Sequence, residues 1–159
     1  MLKMEEVCKS YQHRGQVVKA LDGATVEIPK GDFVSIVGPS GSGKSTLVLL
    51  LGGMLSPSSG RVLLNDQSLY DQNSDGRARL RKEHVGFVFQ TFNLVPYLTA
   101  MENVQVPMYL AGMDEESQTA TAAGLLQRVG LGDRLDHKPA ELSVGPQQRV
   151  ALALSLKHI

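Results

Sequence analysis

Eight consecutive residues, Gly38-Pro39-Ser40-Gly41-Ser42-Gly43-Lys44-Ser45, constrain the fold more than any other part of the chain. They fit the pattern G-x-x-x-x-G-K-[ST] and stand where that pattern has a mechanism, after the β-rich segment Asp32 to Val37 and before the apolar run Leu47 to Leu51. A strand, a glycine-rich loop and a helix follow one another. Gly38, Gly41 and Gly43 let the backbone curl until its N–H groups point inward, which makes an anion-binding nest at the positive end of the following helix. A flexible serine-glycine linker would match the letters but lacks these apolar flanks.

In such a nest Ser40, Gly41, Ser42, Gly43 and Thr46 supply backbone and hydroxyl contacts to phosphates. Lys44 adds a point charge for the β- and γ-phosphates of a nucleotide, and the Ser45 hydroxyl suits Mg²⁺. Nucleotide binding follows from the loop, but no family does, because kinases, switch GTPases, motors and transporters all use it.

The rest of the chain reads as α/β. Thr25 to Ile28 and Asp32 to Val37 are expected strands about the turn Pro29-Lys30-Gly31, and Arg61 to Leu64 is another, closed by the turn Asn65-Asp66. A basic helix is expected over Arg77 to Lys82, then a buried strand over Val85 to Phe89. Thr99 to Glu102 forms a capping box, Asp114 to Val129 a long helix ended by Gly130, and a last helix runs from near Ser143 to about Lys157. The expected architecture is helices on a partly parallel sheet with a helical excursion in the second half.

Lys plus Arg and Asp plus Glu both number 16, so no basic field points to nucleic acid. Cys8, the single cysteine, excludes an intramolecular disulfide and is expected to be a small buried side chain. The N-terminus carries Glu5 and Glu6 where a signal peptide needs a basic end and an apolar run, so no export signal is expected. The longest apolar stretch, Leu47 to Leu55, is broken by Gly52 and Gly53 and falls short of the ~20 residues of a membrane helix.

Three further segments carry a resemblance. Gly86-Phe87-Val88-Phe89-Gln90-Thr91-Phe92-Asn93-Leu94-Val95-Pro96, continuing to Val104, is similar to the Q-loop region of ABC-transporter ATPases, in particular the group that drives lipoprotein release and macrolide export. Leu142-Ser143-Val144-Gly145-Pro146-Gln147-Gln148-Arg149 resembles their signature motif, and Tyr11 followed by Val18-Lys19-Ala20-Leu21 resembles their adenine platform. The resemblance covers Leu2 to about Leu156 and implies a P-loop NTPase core with a β-rich N-terminal part and a helical subdomain, incomplete at the C-terminus. The implied boundaries are about 1–90 for the core, 91–142 for the helical subdomain and 143–159 for the signature helix.

The resemblance also implies roles. Gln90 would reach Mg²⁺ or the attacking water, with Lys44 its catalytic companion, and the loop after Gln90 would dock on transmembrane permease subunits. Ser143 and Gly145 would contact the γ-phosphate held by a second copy, so that an ATP-dependent homodimer forms the site. Tyr11 would stack on adenine. The protein would be cytoplasmic, peripheral on the inner face of the cell membrane. On their residues alone, Gln90 reads as a surface glutamine after a strand, Ser143 as a helix N-cap and Tyr11 as a tyrosine at a sheet edge.

Three positions depart from the family pattern: Val144 replaces a glycine, Pro146 stands where Gln or Glu is usual, and Leu154 where arginine is usual. By the resemblance, the Asp-Glu pair that closes an apolar strand in the family, Asp for Mg²⁺ and Glu for water, would be expected C-terminal to Ile159. Asp114-Glu115 reads instead as an acidic first helical turn and Asn65-Asp66 as a hairpin turn. His13, His84, His137 and His158 read as surface or helix-end residues, none in the family's switch position. ATP binding without turnover is therefore the expectation, either from an ATPase fragment or from a non-catalytic nucleotide-binding module. A guanylate-kinase-like phosphotransferase is the rival from another reaction class, but such enzymes carry the loop almost at the N-terminus.

Overall fold

The computed structural model describes residues 1–156, arranged as two compact units that divide between Val85 and Gly86. The first unit holds a four-stranded antiparallel sheet in the order β2-β1-β3-β4, with β1 Leu2–His13, β2 Gln16–Ile28, β3 Ser59–Leu64 and β4 Gln67–Ser68. Helix α1, Lys44–Leu51, follows the glycine-rich loop, and α2 spans Ser74–His84. Leu50 and Leu51 of α1 pack with Met4, Val7, Val62 and Leu69 into one core, to which α2 contributes Leu80. Burying each of these large side chains is worth about 1.5–3 kcal/mol.

Local chemistry set the turns. Asn65 and Asp66 both adopt positive φ, 48° and 63°, and let β3 return as β4 with Leu64 paired to Gln67. Asn73 caps α2 by accepting from the Gly76 N–H at 2.8 Å, and Arg81, Lys82 and His84 fill its last turn, where cations complement the helix dipole.

The second unit is a three-helix assembly of α3 Ala100–Leu110, α4 Glu115–Arg128 and α5 Val144–Ser155. Ala100, Val104 and Met108, at four-residue spacing on α3, meet Ala122, Leu125 and Leu126 of α4 and Val150 and Ala153 of α5. The Thr99–Glu102 capping box forms with both reciprocal bonds, and Asp114 caps α4 through the Ser117 N–H at 2.9 Å.

Several expectations fail. Neither Asp32–Val37 nor Val85–Phe89 is a strand, and the sheet of the described residues is antiparallel, not partly parallel. Both segments have β-prone composition, but a strand exists only through its ladder to a neighbour, and neither has one among the described residues. Phe33 is 98% exposed in consequence. Cys8, on β1, is half-buried rather than buried, and its thiol takes a polar role, accepting the Gly23 N–H at 3.2 Å. His158 and Lys157 lie outside the described residues. Among these, no helix is long and apolar enough to cross a membrane.

Candidate functional site

The site in the first unit begins with an irregularity in β2. Lys9 pairs with Leu21, but Ser10 pairs with Lys19, so β2 carries one extra residue, Ala20, at a bulge. Its carbonyl oxygen is aimed at Gly43, where a Cβ would collide with it and would press on the Leu21 side chain at 3.2 Å. Gly43 also holds φ at 87° as the N-cap of α1. Only glycine meets both demands.

The loop closes on itself through the Ser42 N–H, which donates to the Pro39 carbonyl at 3.3 Å. The first backbone bond into α1 is Leu47 N–H to the Gly43 carbonyl at 2.8 Å, so the N–H groups of Lys44, Ser45 and Thr46 are not used by the helix, and no side chain caps them. A cavity of about 260 Å³ lies against Ser40 to Thr46 and Ala20. Lys44 folds back over the loop, its Nζ donating to the Gly38 carbonyl at 2.9 Å and the Pro39 carbonyl at 2.7 Å. Free helical N–H groups, the positive end of α1 and an ammonium thus surround one concavity, a donor set that fits an anion such as a phosphate.

The far end of α1 is fastened as firmly. Tyr70 Oη donates to the carbonyls of Leu50 at 2.9 Å and Leu55 at 2.5 Å, and Arg81 Nη1 donates to the Gly53 carbonyl at 2.9 Å. Burial pushes the Tyr70 phenol up to about 12, although Arg77 over its ring pulls the other way. Tyr11, 40% exposed, sits opposite Val18, with Lys9 Nζ 5.2 Å over its ring centroid.

The second unit carries the other named residues. Gln90 is exposed at the turn after Val85–Phe89, and next to it Phe92 and Asn93 hold positive φ of 58° and 51°. The segment that follows is fixed by Asn103, 1% exposed: its Oδ1 accepts the Val95 N–H at 2.7 Å while its Nδ2 donates to the carbonyls of Val95, Leu98 and Thr99.

Ser143, Val144 and Gly145 are exposed at the start of α5, where Ser143 is the N-cap residue but makes no side-chain capping bond. Pro146 is accommodated in the first turn, whose N–H groups have no helical partner in any case. Leu154 packs against the helical core, which explains an apolar residue there.

Sequence reasoning missed four residues that build these segments. Lys9 lies against Tyr11, and Asn103 holds the stretch after Gln90. Gln147 donates to the carbonyls of Pro139 at 2.9 Å and Leu142 at 2.8 Å, fixing the backbone that enters Ser143, and Arg149 donates to the carbonyls of Val129 and Gly130 at the end of α4. Lys9 and Tyr11, two apart on a strand and so on one face, are the pair that spacing could have suggested, whereas the bonds of Arg149 and Gln147 are set by tertiary folding. Among the described residues no cluster of three His, Cys, Asp or Glu side chains could hold a metal, so a cation here would need ligands such as hydroxyls, amides or phosphates.

Comparison with known proteins agrees with the geometry. A family profile described as ABC transporter matches residues 21–158. The chain is 46% identical over 158 residues to the macrolide export ATP-binding/permease protein MacB of Brucella melitensis, covering 99% of this chain and 24% of that protein. It is 44% identical over 158 residues to the lipoprotein-releasing system ATP-binding protein LolD of Legionella pneumophila, covering 99% of this chain and 70% of LolD. It therefore spans about a quarter of the MacB length. Among solved structures, the ATP-binding cassette MJ0796, a dimer in a post-hydrolysis state bound to ADP and Pi, matches with a TM-score of 0.92 and 39% identity over 99% of this chain and 70% of that one. By its loop, its fold and these matches, the chain belongs to the ABC transporter family.

Proposed function

We propose that this chain forms the nucleotide-binding part of an ATP-driven transporter subunit, holding MgATP in the concavity between Ala20 and the loop Gly38 to Thr46. The observation that carries the reading is the set of free N–H groups on Lys44, Ser45 and Thr46, with the Lys44 ammonium beside them. Gly38, Ser40, Gly41, Ser42, Gly43 and Thr46 line or shape the phosphate cradle, Lys44 trades its two carbonyl partners for phosphate oxygens, and Ser45 would ligate Mg²⁺, a role that similarity to the family gives to Gln90 as well. When bound, Mg²⁺ would neutralise charge between the phosphates. Tyr11 stacks on the adenine.

Ser143 and Gly145 meet the nucleotide of a second copy in an ATP-dependent dimer, and the loop after Gln90 meets a transmembrane permease. This puts the protein at the cytoplasmic face of the membrane, coupling nucleotide binding to transport, with a leaning to export. What supports these finer assignments is similarity to LolD, MacB and the MJ0796 dimer. Residues 1–159 bring no Asp-Glu pair at the end of an apolar strand, and this stretch by itself is expected to bind MgATP without turning it over.

A ligand that binds only the folded state raises its apparent stability by mass action. MgATP is expected to raise the thermal unfolding midpoint of the chain and to raise that of Lys44→Ala by less at the same concentration; no shift in the wild type would overturn the proposal. Phosphate release is expected at background, and release abolished by Lys44→Ala would refute the reading of binding without turnover.

A further inference from the structure

We infer that Lys9 is a positioning and affinity-determining residue for the base of the bound nucleotide, acting through Tyr11; this rests on the reading that Tyr11 stacks on that base. Lys9 and Tyr11 are neighbours on β1 two residues apart, and the Lys9 side chain is drawn to two partners at once. Its Nζ donates to the Ser56 carbonyl at 2.8 Å and stands 5.2 Å over the Tyr11 ring centroid. The strand itself is tied to the same turn, since the Ser10 N–H donates to Ser58 Oγ at 3.0 Å and the Ser58 N–H to the Cys8 carbonyl at 2.8 Å. The ammonium is therefore held by a partner other than the ring.

Two consequences follow from an anchored cation on one ring face. The ring loses one of its two faces as a landing surface, and its side-chain freedom is reduced before any ligand arrives, which lowers the ordering cost of stacking. The cation also draws on the electron-rich face of the phenol and so reduces its repulsion with the π-face of a base stacked on the opposite side. The partners of Lys9 are a carbonyl and an aromatic ring, with no carboxylate within ion-pairing distance among the described residues, so its charge is left to act on the ring. Tyr11 keeps 40% of its surface exposed, enough to receive a base.

The chemistry predicts a contribution to the base and none to the phosphates. Affinity for MgATP and for inorganic tripolyphosphate should be measured for the wild type, Lys9→Met, Lys9→Arg and Tyr11→Ala. Lys9→Met keeps the aliphatic stem and is expected to bind MgATP about two- to fivefold more weakly, with tripolyphosphate unchanged and with Lys9→Arg restoring the loss. Equal weakening toward both ligands would mean that Lys9 merely holds the strand end, and no weakening toward either would mean that its charge does nothing; both overturn the inference. Tyr11→Ala reads the underlying assumption separately: if it leaves the preference for MgATP over tripolyphosphate intact, the base is not on Tyr11, and the role of Lys9 falls with it.

Discussion

The carbonyl oxygen of Ala20 stands where the Cβ of any residue but glycine at position 43 would have to be. A bulge on one element thus dictates the residue at the N-cap of another, and the glycine that closes the loop is required by packing as well as by its φ of 87°. Gly43→Ala adds a left-handed strain of about 1–2 kcal/mol to that collision. Loss of MgATP binding is expected at temperatures where circular dichroism still reports folded protein; wild-type affinity in Gly43→Ala would show that the contact is soft.

Tyr70 is expected to titrate late. Its folded value of about 12 lies above the ordinary 10, so the protonated phenol is the form the fold favours. The sign is that of a raised group: its contribution is fully present below pH 10 and is lost as the pH rises through about 12. Ultraviolet titration of phenolate absorbance should show a step near 12 that is missing in Tyr70→Phe. The same variant should lose about 1 kcal/mol of stability from the donor to the Leu50 and Leu55 carbonyls.

Asn103 is the most heavily used polar side chain of the helical unit, and every one of its bonds goes to the backbone between Val95 and Thr99. Asn103→Leu keeps the volume but leaves half-buried backbone groups without their partner, at a cost of about 1–3 kcal/mol. Chemical denaturation followed by helical circular dichroism should show this loss. Hydrogen exchange should show faster exchange at the Val95 amide; an unchanged amide would contradict the assignment.

The capping box predicts an acid limb. The Thr99 backbone N–H bonded to Glu102 holds its carboxyl below the usual value of 4.5, so this stabilisation is present above that pH and fades as the pH falls through the depressed value. Glu102→Gln should flatten the pH dependence of helical unfolding below about pH 4.5 and leave it unchanged near neutrality. An identical acid limb in both proteins would argue that the box contributes nothing.

How far the sequence could be read depended on the range of each interaction. Thr99, Glu102, Asp114, Asn65 and Asp66 act within a few residues of themselves, and their caps and turns formed where expected. The glycine-rich loop that opens α1 was legible as a loop before a helix for the same reason. Asp32–Val37 and Val85–Phe89 misled because composition records only the willingness to be a strand, while the ladder belongs to a distant partner. The Lys9 bond to the Ser56 carbonyl, the Ala20 bulge and the Gln147 bonds to Pro139 and Leu142 were invisible because each depends on how folding places one segment against another.

The central claim is that the cradle around Lys44 binds the phosphates of MgATP, and calorimetric titration of the chain with MgATP tests it most directly. The account predicts saturable binding at one site per chain, weakened in Lys44→Ala by the roughly 1.5–3 kcal/mol of a charge-assisted contact, about ten- to a hundredfold in affinity. Equal affinity of the wild type and Lys44→Ala, or no binding to either, would contradict it.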